Sequence, residues 1–322
     1  MAKIVITGAA GFVGANLARH FLAQGHEVTA LTGGNHGDWR LPKEAQGLKK
    51  LFVDLCDEAA LRALISKTAP EAWINCAAYG AYPSQTDAPL IYRTCFDSVR
   101  WTLEELRKLS GFKAFVQMGS QSEYGFNCSA PQESSGTVPD SDYAVAKVAA
   151  TAATQFYGKK HGVPAWAFRL YSVYGPYEET SRLIPKLLLQ IRAGKLPPLA
   201  SRSISRDFVH VDDVSRAVEA VLTLADRLPK GEVYNIGTGV CTTLEKLVET
   251  ARSAFGVKAE ASWGSMPDRK WDHAGWYSDS AKAERDLGWK ARLAVREGLE
   301  KTMAWIEANP EAIQLGLRHS VV

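Results

Sequence analysis

Tyr143 and Lys147 stand four residues apart in Asp142–His161, an alanine-rich stretch that reads as one long helix, so both side chains share a face. A free phenol ionises near pH ~10, too high for proton exchange near neutrality, and a nearby ammonium lowers that value by stabilising the phenolate. The same lysine can hydrogen-bond a ribose. Taken alone, Tyr-x-x-x-Lys is also a common solvated helix pair. Ser120 changes that reading. The strand expected over 114–118 runs into Gln117-Met118-Gly119-Ser120, which puts the serine at the carboxyl edge of a sheet, where ligands of such folds bind. There it can orient a hydroxyl or carbonyl while Tyr143 exchanges the proton.

A third group of residues, Gly8, Gly11 and Gly14, follows the first strand directly and opens the first helix. Gly8 allows a tight turn, Gly11 a close backbone approach to a pyrophosphate, and Gly14 close helix–strand packing; the helix N-terminus adds free N–H groups. Asp54, after the third strand, is either an acceptor for an adenine amino group or a turn and capping aspartate. At the end of the second strand a carboxylate would hold the adenosine ribose and repel a 2′-phosphate. Thr32-Gly33-Gly34-Asn35 has none before Asp38, while Asn35, His36 and Arg40 can donate to a phosphate. The cofactor is therefore read as NAD or NADP, leaning to NADP.

Short β-branched runs alternate with amphipathic stretches through the first half. Strands are expected at Lys3–Thr7, 27–31, 51–54, 73–77 and 114–118, with helices at 12–24, 59–66 and 92–109. This βαβα succession predicts an α/β fold, a doubly wound parallel sheet of the Rossmann type. After the strand at 164–170 the alternation loosens, and the tail gathers Trp263, Trp271, Trp276, Trp289 and Trp305. The expected division is a dinucleotide-binding domain of 1–170 with about 208–238, and a smaller α/β substrate lobe of 171–207 with 239–322. The loop 127–141, rich in Ser, Pro and Gly, is expected on the surface near the active site.

Composition excludes several alternatives. With 322 residues, 46% hydrophobic and 23% charged, the chain can bury a large core. A net charge of +3 without a basic run gives no footprint for nucleic acid. Five widely spaced cysteines and seven histidines show neither disulfide-scaffold nor metal-ligand spacing, so no metal is expected and a reducing compartment is. Without a secretory leader or an apolar run of ~20 residues, the expectation is a cytoplasmic protein with no membrane partner.

Together these motifs resemble the extended short-chain dehydrogenase/reductases, the NAD-dependent epimerase/dehydratase family acting on nucleotide-sugars, over nearly the whole chain. Further matches are Asn75-Cys-Ala-Ala78, Arg169-Leu-Tyr-Ser-Val-Tyr-Gly-Pro176, Arg206-Asp-Phe-Val-His-Val-Asp-Asp213, Tyr234-Asn-Ile-Gly-Thr-Gly239, Asp279-Ser-Ala-Lys282 and Leu287-Gly-Trp289. The resemblance implies that Ser120, Tyr143 and Lys147 are catalytic. It implies a cofactor site completed by Phe12, Val13, Leu55, Ala77, Ala78 and Tyr171. It also implies a nucleoside-diphosphate-sugar substrate near Ser122, Ser172 and Arg206, and a homodimer formed in part by the Tyr143 helix.

The departures from the family pattern narrow the reaction. Sugar-nucleotide 4,6-dehydratases carry an acid just after the edge serine or threonine; here stand Gln121 and Ser122, with Glu123 one position late. Glu123 is read as either reaching the sugar or forming a structural salt bridge. The epimerase-reductases of the GDP-fucose pathway place a cysteine and a histidine where Ser122 and Tyr177 stand, and Ser172 replaces a common asparagine. A 4-epimerase is placed ahead of an NADPH-dependent 4-ketoreductase, and both ahead of a dehydratase. A nonenzymatic NADP-binding sensor on this fold would have lost the tyrosine or the lysine, and both are present. His210 is read as a packed or capping residue, and Cys76 and Cys128 as small buried thiols.

Overall fold

The structure is a computed structural model and describes residues 1–33, 37–265 and 275–319. Its strands are β1 (Lys3–Thr7), β2 (Glu27–Thr32), β3 (Leu48–Phe52), β4 (Ala72–Asn75), β5 (Ala114–Ser120), β6 (Ala165–Leu170), β7 (Ser172–Tyr174), β8 (Ser205–Arg206), β9 (Phe208–His210), β10 (Glu232–Ile236) and β11 (Thr242–Thr243). Its α-helices are α1 (Phe12–Ala23), α2 (Glu58–Thr68), α3 (Ala88–Tyr92), α4 (Ser98–Leu106), α5 (Asp142–His161), α6 (Leu183–Arg192), α7 (Val211–Leu224), α8 (Leu244–Phe255), α9 (Ala281–Leu287), α10 (Val295–Ala308) and α11 (Pro310–Arg318).

Seven strands form one parallel sheet in the order β3-β2-β1-β4-β5-β6-β10. Both faces are covered, which is why β1, β4 and β5 read as nearly continuous apolar runs. One face packs on α1 and α7 through Leu17, Phe21, Val214 and Val218; the other packs on α2, α4 and α5 through Leu61, Val99, Leu103 and Ala150. The strand order reverses between β1 and β4, opening a crevice at their carboxyl ends.

A second apolar cluster joins α6, α8 and α10 through Leu187, Leu188, Leu247, Leu299 and Met303. Ala283, Leu287 and Trp289 do not join it. They pack with the sheet core, and Trp289 Nε1 donates to the Asp213 carbonyl at 2.8 Å. Residues 281–289, expected in the smaller lobe, thus sit against the sheet.

Two expectations shift for physical reasons. The third strand lies at Leu48–Phe52 rather than 51–54: it is an edge strand whose Lys49 and Lys50 hide the apolar alternation. The helix expected over 92–109 starts earlier, at Asp87, whose carboxylate caps Leu90 N–H at 3.1 Å, and it contains a π-helical turn at Arg93–Asp97. By contrast α5 has the expected bounds. Ser141 caps its first turn, and Gly162, at φ +69°, ends it in the left-handed conformation.

Among the described residues, no helix is long and apolar enough to cross a membrane, and no group of three or more His, Cys, Asp or Glu could hold a metal ion. All five cysteines are free.

Candidate active site

The glycine loop turns directly off β1. Gly8 sits at φ +60°, and a side chain there would press on the backbone of Ala77 at 2.7 Å. At Gly14 a Cβ would run into the Gly8 carbonyl oxygen and lie 2.9 Å from Ala9 Cα. Gly11 caps α1 by position only, with no side-chain acceptor, so the first-turn N–H groups at Phe12, Val13 and Gly14 have no side-chain cap and the dipole there is unneutralised. These residues fit the diphosphate of a dinucleotide.

Beneath this loop runs a buried polar chain. Thr7 Oγ1 donates to Asn75 Oδ1 at 2.7 Å and accepts from Ala77 N–H at 3.2 Å. Asn75 Nδ2 donates to Gln117 Oε1 at 2.9 Å, and Gln117 Nε2 to the Met118 carbonyl at 3.2 Å. That carbonyl also accepts Lys147 Nζ at 2.8 Å. Thr7, which leads into the glycine loop, and Lys147 are therefore held in one network across β1, β4 and β5. Asn75 lay within a recognised motif; Thr7 and Gln117 carried no local signal.

Ser120 ends β5 and caps a single 3-10 turn, Gln121–Glu123. Its Oγ accepts from Ser122 N–H at 3.1 Å and from the Ser122 hydroxyl at 2.9 Å. With both lone pairs engaged, its own proton is left to donate, and the Tyr143 hydroxyl stands within its reach. Glu123 returns the bond, accepting Ser120 N–H at 3.0 Å, and completes a capping box. Ser-x-x-Glu was a visible signal for this turn. Glu123 is fully buried against Arg169 Nε at 2.8 Å, so it is an interior ion pair and not a group reaching toward a sugar.

From α5, Lys147 Nζ lies 5.6 Å from the Tyr143 ring centroid. Burial disfavours the Lys147 ammonium, but Tyr143, Cys95 and Glu123 together hold its pKa above the usual lysine value, so it stays charged. For Tyr143 burial is the largest effect and raises the phenol above its ordinary value; Lys147 and the Ser120 hydroxyl act the other way. The lysine therefore lowers the phenol, as expected, but does not outweigh burial. Cys76 beside them is pushed up to about 12 by burial and remains a thiol at neutral pH.

Other expected site residues are placed differently. Arg40 is buried: Nε donates to the Tyr177 carbonyl at 2.8 Å and Nη2 pairs with Glu179 at 3.2 Å. It is an interior tie between the segment after β2 and the one after β7, not a donor presented to a 2′-phosphate. Asn35 lies outside the described residues. Asp54 is exposed and accepts Cys56 N–H at 2.8 Å, the turn role. Leu55 is half-buried beside it, Ala77 is buried and Ala78 exposed on the crevice side of β4. Tyr171 packs with Cys128 and Trp276, its hydroxyl buried without a hydrogen-bond partner. Ser172 starts β7, its N–H bonded to the Asp207 carbonyl at 2.9 Å. Arg206 lies over the Trp276 ring at 4.7 Å, and its Nη1 donates to the Ser205 carbonyl at 2.7 Å. His210 is buried and accepts Asp212 N–H at 3.2 Å, capping α7.

The loop 127–141 borders this site, though not as a free surface loop. Arg169 Nη1 donates to the Glu133 carbonyl at 3.1 Å, Asn235 Nδ2 to the Pro131 carbonyl at 2.8 Å, and Ala130 N–H to the Tyr277 carbonyl at 3.0 Å.

Residues 4–237 match the NAD dependent epimerase/dehydratase family. A dTDP-glucose 4,6-dehydratase of Streptomyces griseus is 29% identical over 94% of this chain and 93% of its own length. A UDP-glucuronate 4-epimerase of Thermodesulfobacterium geofontis is 26% identical over 98% of this chain and 99% of its own. Among solved structures, MoeE5 in complex with UDP-glucuronic acid and NAD superposes with a TM-score of 0.81 at 27% identity, covering 95% of this chain and 99% of that one.

Proposed function

The chain belongs to the NAD dependent epimerase/dehydratase family of extended short-chain dehydrogenase/reductase enzymes, and on that premise we propose that it is a nucleotide-sugar 4-epimerase. One observation carries this reading. Ser120, Tyr143 and Lys147 converge at the carboxyl edge of the sheet, while Glu123, the carboxylate of the Ser120 turn, is locked inside with Arg169. Removal of water from a sugar needs an acid and a base at C5 and C6, and Gln121 and Ser122 supply neither at neutral pH.

Gly8, Gly11 and Gly14 with the open end of α1 would hold the cofactor diphosphate, and Lys147 would hold the nicotinamide ribose. A bound nicotinamide cofactor would supply reversible hydride acceptance at C4 of the sugar. Tyr143, as phenolate, takes the proton of the C4 hydroxyl as that hydride leaves, and the electron pair of the O–H bond becomes the new C=O bond. Ser120 donates a hydrogen bond to the ketone oxygen. After the sugar turns its other face, Tyr143 would return the same proton to the oxygen. Lys147 keeps the phenolate accessible throughout.

On this reading Arg206 contacts the substrate diphosphate, Ser172 the diphosphate or the sugar, and Ser122 the sugar. The dinucleotide domain is taken as residues 1–170 and 208–238 with α9 added, the rest being the substrate lobe. A homodimer through α5 is consistent with the exposed Val145 and Phe156 on its outer face.

A 4-ketoreductase using NADPH is the second reading. It is favoured by the absence of a carboxylate at the end of β2, since the first one, Asp38, pairs with Lys50 at 2.7 Å. Mass spectrometry of the nucleotide released from the purified protein separates the two. Retained NAD is expected for an epimerase, whose cofactor need not leave between turnovers. A protein that purifies empty and takes up NADPH reversibly supports the reductase instead.

A further inference from the structure

Glu123 fits where it does because residue 119 is glycine. A Cβ built there would run into the Glu123 carboxylate and stand 2.8 Å from the Phe168 carbonyl oxygen. In the space left free, Glu123 Oε1 accepts Ser120 N–H at 3.0 Å and the Thr151 hydroxyl at 3.1 Å, and Oε2 accepts Arg169 Nε at 2.8 Å. Arg169 is buried as well, its guanidinium 4.4 Å over the Tyr124 ring and its Nη1 on the Glu133 carbonyl. Three elements thus meet on one carboxylate, β5 with its turn, α5 and β6, and Arg169 ties the loop 127–141 to them. A buried pair of this kind is a weak contributor to net stability, because desolvation offsets much of the attraction. Its geometry is specific, and it points at the catalytic serine.

We infer that Glu123 is a positioning residue: seated in the space left by Gly119 and tied to Arg169, it fixes the Ser120 turn and sets the charge around the proton exchanged by Tyr143. This rests on the reading that Tyr143 is the acid and base. Two physical effects follow from one side chain. As acceptor for Ser120 N–H, Glu123 holds the backbone so that both Ser122 donors reach Ser120 Oγ. Burial raises the Glu123 carboxyl above its usual range and Arg169 acts the other way; in its charged form it disfavours the Tyr143 phenolate and favours the Lys147 ammonium. The groups facing Tyr143 are Lys147 from its own helix, Cys95 from the π-helical turn, and Ser120 with Glu123 from the turn after β5. Cys76, after β4, faces Lys147, and Arg169 from β6 lies behind Glu123. Glu123 thus works against the lysine and moves the working range of Tyr143 to higher pH.

Two variants separate the effects. Glu123→Gln keeps an acceptor for Ser120 N–H and removes the charge, so the acid limb of kcat/KM against pH moves to lower pH. The Cζ carbon resonance of Tyr143 in isotope-labelled protein begins to titrate at lower pH in this variant than in the wild type. That second readout needs no substrate, so it stands or falls separately from the epimerase reading. Glu123→Val/Arg169→Met removes acceptor and charge together without leaving a lone buried charge, and it carries the test if Glu123→Gln does not fold. In it kcat falls about tenfold or more while KM stays within about twofold, as expected when a transition-state donor loses its register. An unmoved Tyr143 titration in the variants, or a double variant with the kcat and pH profile of the wild type, overturns the inference.

Discussion

Tyr143→Phe is expected to lower kcat about a thousandfold, within the range by which a positioned acid or base accelerates proton transfer. The ring itself packs with Ile91, Cys95 and Ala146, and phenylalanine preserves those contacts, so the loss is chemical rather than structural. The remaining rate comes from binding and from Ser120, whose hydroxyl keeps both its bonds from Ser122. The pH dependence has a definite sign. Burial raises Tyr143 above the ordinary phenol value, so kcat/KM of the wild type rises with pH and is lost as pH falls below the working value of the tyrosine. Lys147→Met strips the buried phenol of its cation, raises it further and moves the acid limb upward. Steady-state rates across pH, with an unfolding curve for each variant, check both. A phenylalanine variant within tenfold of the wild type would remove Tyr143 from the mechanism.

The second large effect concerns the fold at the edge of the site. Asp207, between β8 and β9, is fully buried and gathers five donors: Thr238 N–H at 2.7 Å, Thr238 Oγ1 at 2.5 Å, Gly239 N–H at 2.9 Å, Ser278 N–H at 3.1 Å and Ser278 Oγ at 2.6 Å. Asp207→Ala leaves these donors without an acceptor, where each costs about 1–3 kcal/mol if water cannot replace it. A total loss of about 4 kcal/mol is expected, read as a fall in the urea midpoint at unchanged slope. Asp207→Asn keeps one acceptor oxygen and turns an amide toward the remaining donors, so its loss is smaller but measurable. Because Arg206 precedes it in the chain, the alanine variant also weakens substrate binding. A midpoint within experimental error of the wild type would show that the three segments hold together without it.

How far the sequence led depended on the range over which each feature is determined. The glycine loop and α5 were legible because their causes are local: glycines after an apolar strand, a serine cap and a glycine stop. The π-helical turn at Arg93–Asp97 was not, since no side-chain period distinguishes it from the flanking helix. Arg40 read as an exposed phosphate donor because its partner Glu179 lies 139 positions away and only the folded chain brings them together. Asp207 was passed over within a recognised motif for the same reason, its donors coming from residues 238–239 and 278. Glu123 was legible in part. A structural salt bridge was one of its two readings, and Arg169 supplies it, but the Ser-x-x-Glu spacing and Gly119 were not read as the turn it caps.

The central claim is hydride chemistry at C4 without proton exchange at C5 or C6, and product analysis in heavy water tests it most directly. The protein is incubated in D2O with NAD and, in turn, UDP-glucose, UDP-glucuronic acid and dTDP-glucose, and the products are examined by mass spectrometry and NMR. The account predicts that at least one of them yields a product of unchanged mass, inverted at C4, with no deuterium on carbon. A product lighter by one water and carrying deuterium at C5 or C6 would contradict it, and would mean that an acid and base other than Glu123 serve the site.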